Sequence, residues 1–256
     1  MKIGVVGLGL IGGSIFKDLR KLGYDVVGVS QSQSGENIYK DYTFLKDCTL
    51  VFVCSAMNKT LGVLDELENY LSSQTVVTDV CSLKGFVSQK KRSYIFIPSH
   101  PMAGTEHKGF ENSFEGMFCG AKWVITPYCH SEQSEESKAL LEGIINKLGA
   151  EVVITTPQKH DEAVALISHM PMVIAQAIFK TAEENDLALK IASSGFRDMT
   201  RLAMSNTEMA NDMVMMNSEN IQNAILKLYK SVGELTNTNY SEQIENIRAK
   251  RMEMFK

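Results

Sequence analysis

The 256-residue sequence predicts an α/β fold, a doubly wound parallel sheet followed by an all-helical second half. Three observations carry that reading. A glycine-rich turn joins an apolar run to a helical pattern near the start of the chain. Short apolar runs then alternate with helical patterns up to about residue 156. From Pro157 onward strand patterns stop, and apolar residues recur at helical spacing.

Ile3, Val5 and Val6 form the first run, which reads as a buried strand. Gly7, Gly9 and Gly12 follow at G-x-G-x-x-G spacing, and Ile15, Phe16, Leu19 and Leu22 mark the apolar face of the next helix. Strand, glycine turn and helix in this order are the context of a Rossmann-type dinucleotide site. There Gly7 permits the tight turn, Gly9 leaves room for a pyrophosphate, and Gly12 lets the helix pack on the strand. Free N–H groups at the helix start face the phosphates. Gly7, Leu8, Gly9, Leu10, Ile11 and Gly12 are therefore cofactor-binding candidates. A structural glycine turn without a ligand is the plainer alternative.

Further strands are expected at Tyr24–Val29, Leu50–Cys54, Thr75–Thr78, Tyr94–Ile97, Trp123–Thr126 and Glu151–Ile154. Helices are expected at Lys59–Leu71 and Glu135–Leu148, and the polar stretch from Cys129 to Glu136 reads as a surface loop. Ligands of parallel sheets bind beyond the carboxyl ends of the strands. Those ends are Gly7, Ser30, Ser55, Asp79 and Ser99, and Ser30, Gln31, Ser55 and Asp79 join the cofactor candidates. The second strand ends Val29-Ser30-Gln31, with no acidic residue to mark NAD and no Arg to mark NADP. Either nicotinamide cofactor fits this strand end, so weak discrimination is expected.

In the second half, Val164, Ile167, Ile174, Ala177 and Ile178 follow helical spacing. So do Ile221, Ile225, Leu228, Val232 and Leu235, and then Ile244, Ile247 and Met254. These faces must be buried somewhere. A dinucleotide-binding domain over residues 1–156 and a helical substrate and dimerisation domain over 157–256 are expected, with a homodimer formed by the latter.

A net charge of −4 gives no electrostatic footprint for nucleic acid. No apolar run reads as a membrane span, and no secretory signal pattern precedes the first strand. The five cysteines are scattered without a C-x-x-C pair. They favour reduced thiols in a cytoplasmic protein. No His, Cys or Asp cluster has metal-ligand spacing, so no metal is expected.

Three polar stretches remain: Thr78 to Lys84, Ser99 to Glu106, and Ser193 to Arg201. With the glycine turn they resemble the prephenate and arogenate dehydrogenases of tyrosine biosynthesis. Asp79-Val80-Cys81-Ser82-Leu83-Lys84 matches that family's D-x-x-S-x-K. His100-Pro101-Met102-Ala103-Gly104-Thr105-Glu106 matches H-P-x-A-G-x-E. His160-Asp161 and Ser168-His169-Met170-Pro171 match H-D and S-H-x-P. Gly195-Phe196-Arg197-Asp198-Met199-Thr200-Arg201 matches G-F-x-D-x-[ST]-R. The resemblance covers nearly the whole chain.

It implies oxidative decarboxylation of prephenate, arogenate or both, with hydride transfer to NAD or NADP. It implies a base at His100, oriented by a hydrogen bond from Ser82, and a carboxylate-binding cation at Arg201. It places Thr105 and Glu106 at the pocket mouth, and His169 and Asp161 near the substrate or the domain junction. Each residue also has a plainer reading. His100 can be a loop residue, Ser82 a helix cap, Arg201 a surface ion pair with Arg197 as competitor, and His160-Asp161 a favourable helix start. Met172 stands where many prephenate-using members carry a second His. A β-hydroxyacid-type dehydrogenase and a non-catalytic nucleotide-sensing protein are the alternatives. The first uses a Lys as acid/base in its helical half, for which this chain offers no clear equivalent.

Overall fold

The computed structural model describes residues 1–105, 107–127, 132–237 and 239–255. β1 (Lys2–Val6) enters the glycine turn, and α1 (Leu10–Lys21) leaves it. β2 (Asp25–Val29), β3 (Ile38–Tyr39), β4 (Leu50–Val53), α2 (Met57–Leu67), β5 (Val76–Asp79) and β6 (Ile95–Phe96) follow. The six strands form one sheet in the order β3-β2-β1-β4-β5-β6, and every pairing is parallel. The strand order reverses between β1 and β4, which opens a crevice at their carboxyl ends.

Both faces of the sheet are covered, as a parallel sheet requires. Alternation along β1 and β4 sends Ile3, Val5, Leu50 and Phe52 into one core with Ile15, Leu19, Trp123 and Leu141. Val6, Val51 and Val53 go to the opposite core with Leu64 and Leu67 of α2. This is why the strands read as nearly continuous apolar runs rather than as alternating ones.

The later strands do not extend this sheet. β7 (Ser99–Pro101), β8 (Lys122–Ile125) and β9 (Glu151–Ile154) form a second, three-stranded sheet, with β7 antiparallel to β8 and β8 parallel to β9. β7 was not expected, because three residues ending in Pro carry no strand pattern. α3 (Glu132–Lys147) links β8 to β9. Its start falls inside the stretch expected as a loop. Cys129 and His130 lie outside the described residues, and Cys48, Cys54, Cys81 and Cys119 are free thiols.

From residue 157 the described chain is helical. Thr156 caps α4 (Pro157–Val164) by accepting from the Lys159 N–H. A π-helical turn, Ala165–His169, separates α4 from α5 (Met170–Ala182). Pro171 explains it, because its missing N–H and its ring disfavour an ordinary turn onto Ile167. α6 (Asp186–Lys190), α7 (Ser194–Met199), α8 (Thr207–Met216), α9 (Ser218–Asn237) and α10 (Tyr240–Met254) complete the chain.

The run Pro157–Ala182 corrects one expectation. At 26 residues and mean hydropathy 1.5 it is long and apolar enough to cross a membrane, by length and composition only. The sequence hid this because His160, Asp161 and His169 interrupt the apolar letters. Those three side chains are buried within the protein. Only 28% of the apolar window is buried in the chain, so an apolar outer face remains, with Leu166, Ile167 and Phe179 exposed.

Candidate active site

The crevice between β1 and β4 is a cavity of about 390 Å³. Gly7, Leu8, Gly9, Ser30, Gln31 and Ser55 line it, as do Ser32, Gln33, Lys59 and Phe110. Gly7 adopts φ +86, a left-handed turn that L side chains avoid, and a Cβ there would meet the Cys54 carbonyl at 2.7 Å. A Cβ on Gly12 would lie 2.0 Å from the Gly7 carbonyl oxygen, so helix and turn close only on glycine. Above Gly9 a Cβ would meet nothing within 4 Å. A bare, open backbone beside the start of a helix is a fit for a pyrophosphate. Leu10 and Ile11 open that helix and are half-buried, while Gly12 is buried behind it.

At the far end of the crevice, Ser30 Oγ accepts from the Gln33 N–H at 3.1 Å. Gln31 donates to the Lys40 carbonyl at 2.9 Å, and Lys40 Nζ donates to the carbonyls of Gln31 and Gln33, each at 2.8 Å. The sequence did not single out Lys40 or Lys59. Lys40 arrives because β3, too short to show a pattern, pairs beside β2.

Asp79 does not belong to this pocket. It is fully buried, and its carboxylate takes the Lys84 ammonium, the Cys81 N–H at 2.9 Å and the Ser99 N–H at 3.3 Å. A strand-end position alone cannot tell a carboxylate facing a ligand from one facing a lysine five residues on. Lys84, equally buried, also donates to the Ser99 carbonyl at 2.6 Å. The Ser99 hydroxyl donates to the Asp79 carbonyl at 2.8 Å and accepts from Thr78 Oγ1 at 2.8 Å and Trp123 Nε1 at 2.9 Å. Every hydrogen-bonding group of Ser99 that faces the core is therefore satisfied, which fixes the backbone that carries His100.

His100 is half-buried on β7. Its Nδ1 lies 2.9 Å from His160 Nε2, and His160 Nδ1 lies 2.8 Å from Asp161 Oδ1. Burial pushes the His100 pKa well below its usual value, and the Lys84 charge and the neighbouring His160 and His169 act in the same direction. An imidazole so placed is neutral at neutral pH, the form a base needs. Ser82, expected to orient His100, forms no hydrogen bond with it in the structure. His160 occupies that place at Nδ1.

His169 is only 1% exposed, and Asn217 Nδ2 donates to its Nδ1 at 3.1 Å and to the Asp161 carbonyl at 3.0 Å. It stands close enough to His100 of the first half to act on that ring's charge, and it presents almost no surface to a substrate. Burial brings its pKa down to about 4. Asn217, which no motif pointed to, ties α4 to the start of α9. Met172 is buried with Met57, Cys81 and Leu83 of the first half and Val164 and Met213 of the second. Met102, two residues past His100, and Leu202, next to Arg201, both pack on this cluster.

Arg201 is exposed and, among the described residues, has neither an ion-pair nor a hydrogen-bond partner. Arg197 reaches Asp198 at 3.4 Å, and its side chain is 79% exposed. Thr105 is exposed and accepts the His107 N–H at 3.2 Å. Glu106 lies outside the described residues.

Comparison with known proteins finds relatives over both halves of the chain. The family model for the prephenate dehydrogenase nucleotide-binding domain matches residues 29–154, and that for the prephenate dehydrogenase dimerization domain matches residues 156–253. A Synechocystis arogenate dehydrogenase structure is 31% identical, covers 99% of this chain and 97% of its own, and superposes with a TM-score of 0.81. A prephenate dehydrogenase from Aquifex aeolicus, solved with hydroxyphenyl propionate and NAD+, is 27% identical with a TM-score of 0.85, covering 99% and 98% of the two chains. The prephenate dehydrogenase of Bacillus subtilis is 27% identical over 95% of this chain and 71% of its own length. The chain belongs to the prephenate dehydrogenase family.

Proposed function

We propose that His100 is the base of a dehydrogenase acting on a cyclohexadienol, with the cleft between the two halves as its substrate site. The enzyme is NAD(P)-dependent and oxidatively decarboxylates prephenate, arogenate or both, in tyrosine biosynthesis. The observation that carries the site reading is the shared cluster beneath the cleft, which brings the segments holding His100 and Arg201 together. Of the three histidines there, His160 and His169 are 2% and 1% exposed, so His100 is the one with surface left for a ligand.

Bound nicotinamide supplies the acceptor for the hydride that leaves ring C4. His100 takes the proton of the C4 hydroxyl as that hydride departs. Loss of the ring carboxylate as carbon dioxide sends its electron pair into the ring, which becomes aromatic. The proton on His100 then returns to the phenolate oxygen. Arg201 holds a substrate carboxylate, a planar cation against a planar anion. Its lack of a partner among the described residues supports that role. Thr105 belongs to the mouth of the cleft. Leu10, Ile11 and Gly12 present the helix start to the pyrophosphate, and Ser30, Gln31 and Ser55 line the nucleoside end. The first domain ends near residue 156, where β9 gives way to α4. A second copy of the chain covers the apolar outer face of residues 157–182, as a dimerisation domain requires.

Initial rates with prephenate and arogenate, each crossed with NAD and NADP, test the reading. Reduced cofactor and carbon dioxide are expected in equal amounts. Reduction without carbon dioxide release would place the chemistry elsewhere.

Cofactor choice gives a separate prediction. Ser30 already accepts the Gln33 N–H, so Asp fits the same turn and adds a charge that repels a 2′-phosphate. Ser30→Asp is expected to lower the NADP-to-NAD ratio of kcat/KM at least about tenfold, equivalent to about 1.4 kcal/mol. An unchanged ratio would remove Ser30 from the ribose site.

A further inference from the structure

The sequence leaves His160 and Asp161 open between a helix start and a catalytic part. Their hydrogen bonds decide the matter. Asp161 Oδ1 accepts the Lys84 N–H at 2.8 Å, and Oδ2 accepts the Gly85 N–H at 2.8 Å. The approach is close enough that a Cβ on Gly85 would meet Oδ2 at 2.8 Å. The third donor is His160 Nδ1, at 2.8 Å. A carboxylate ringed by donors has no proton to give, so the proton between the two residues sits on His160 Nδ1.

With its single ring proton there, His160 Nε2 is an acceptor. His100 Nδ1 stands 2.9 Å away, a hydrogen-bond distance that two lone pairs cannot share. The proton of that bond therefore belongs to His100 Nδ1. His100 Nε2 is left with the free lone pair.

We propose that His160 and Asp161 are positioning residues that hold His100 in the Nδ1–H tautomer, making Nε2 the atom that takes the substrate's hydroxyl proton. This rests on His100 being the base. Among the described residues, the charged and titratable groups that act on the His100 ring are Lys84, His160 and His169, and each disfavours a second proton on it. Behind His160 stands the Asp161 carboxylate, of opposite charge to an imidazolium. When His100 becomes imidazolium, its Nδ1–H still donates to His160, and His160 still donates to the carboxylate. The new charge is then stabilised through two aligned hydrogen bonds. Asp161 is itself gripped by the loop after β5, so the relay forms only when the halves are closed on each other.

The test uses the full-length enzyme with His160→Leu and His160→Gln. A Gln offers a carbonyl to His100 and an amide to Asp161, whereas Leu offers neither. His160→Leu is expected to lower kcat about 10²-fold, the lower end of what a general base contributes. Substrate KM and cofactor affinity, read by fluorescence titration, are expected to change little. His160→Gln is expected to recover most of the loss. Nitrogen NMR of the His100 ring in the wild-type enzyme is expected to show a protonated Nδ1 and a bare Nε2. A protonated Nε2 in that spectrum overturns the proposal, and so does His160→Leu with unchanged kcat and pH profile, or equal damage from Leu and Gln. If His160→Leu does not fold, the wild-type spectrum decides alone. A His100→Ala enzyme with near-normal kcat would instead end the reading of His100 as the base.

Discussion

Replacing His100 with Ala is expected to lower kcat by about 10²–10⁴-fold while cofactor affinity stays intact. The hydride cannot leave ring C4 unless the hydroxyl proton leaves with it, and the half-buried imidazole on β7 is the acceptor proposed for it. Cofactor affinity is spared because the residues lining the dinucleotide cavity do not include His100. The pH profile carries a second signature. Burial, with Lys84 behind it, lowers the His100 pKa well below 6.5. The neutral, competent form therefore persists into acid, and the falling limb of kcat/KM is expected below pH 6.5, not at it. In His100→Ala that limb disappears. A mutant that keeps near-normal kcat, or the same limb, moves the base elsewhere.

The second large effect belongs to Lys84. Lys84→Met is expected to destabilise the protein by about 3–5 kcal/mol, the usual consequence of removing one partner from a buried ion pair. Lys84 and Asp79 are both fully buried, and their pairing sits directly beneath Ser99. The mutant leaves a carboxylate in the core with only the N–H groups of Cys81 and Ser99. The double variant Lys84→Met/Asp79→Leu is expected to recover part of the loss, because no charge is then stranded. Urea denaturation of the three proteins measures this. A single-mutant loss below about 1 kcal/mol would mean that the pair is solvated or replaceable.

The glycine turn, the three helices that cover the sheet and the helical second half were legible because each follows a local period or a fixed spacing. Gly7 and Gly12 do what their spacing implied, one by its positive φ and the other by close approach. β3 and β7 were not legible, being too short to carry a pattern. Ser30, Gln31 and Ser55, picked out by strand ends alone, line the cavity. The same rule picked out Asp79, whose carboxylate faces Lys84 instead, because strand position gives no side-chain direction. The His100–His160 bond joins residues 60 positions apart, and Asn217 stands 48 positions from His169. No periodicity reaches across such distances. The second contact comes from packing the start of α9 on the π-helical turn within the helical half, and the first from packing that half against β7.

That packing makes the seam between the halves proton-linked. His169 keeps a pKa of about 4 while the seam is closed, chiefly through burial, with the nearby Asp161 carboxylate only partly offsetting it. Once solvated it titrates near the ordinary 6.5. Between those two values the opened chain binds a proton that the closed one refuses. The closed form therefore holds its full advantage above about pH 6.5 and loses it steadily toward pH 4, by on the order of 3 kcal/mol for this one ring. His100, shifted in the same direction, steepens the fall. Two neutral buried histidines, His169 and His100, thus act as a latch that acid releases.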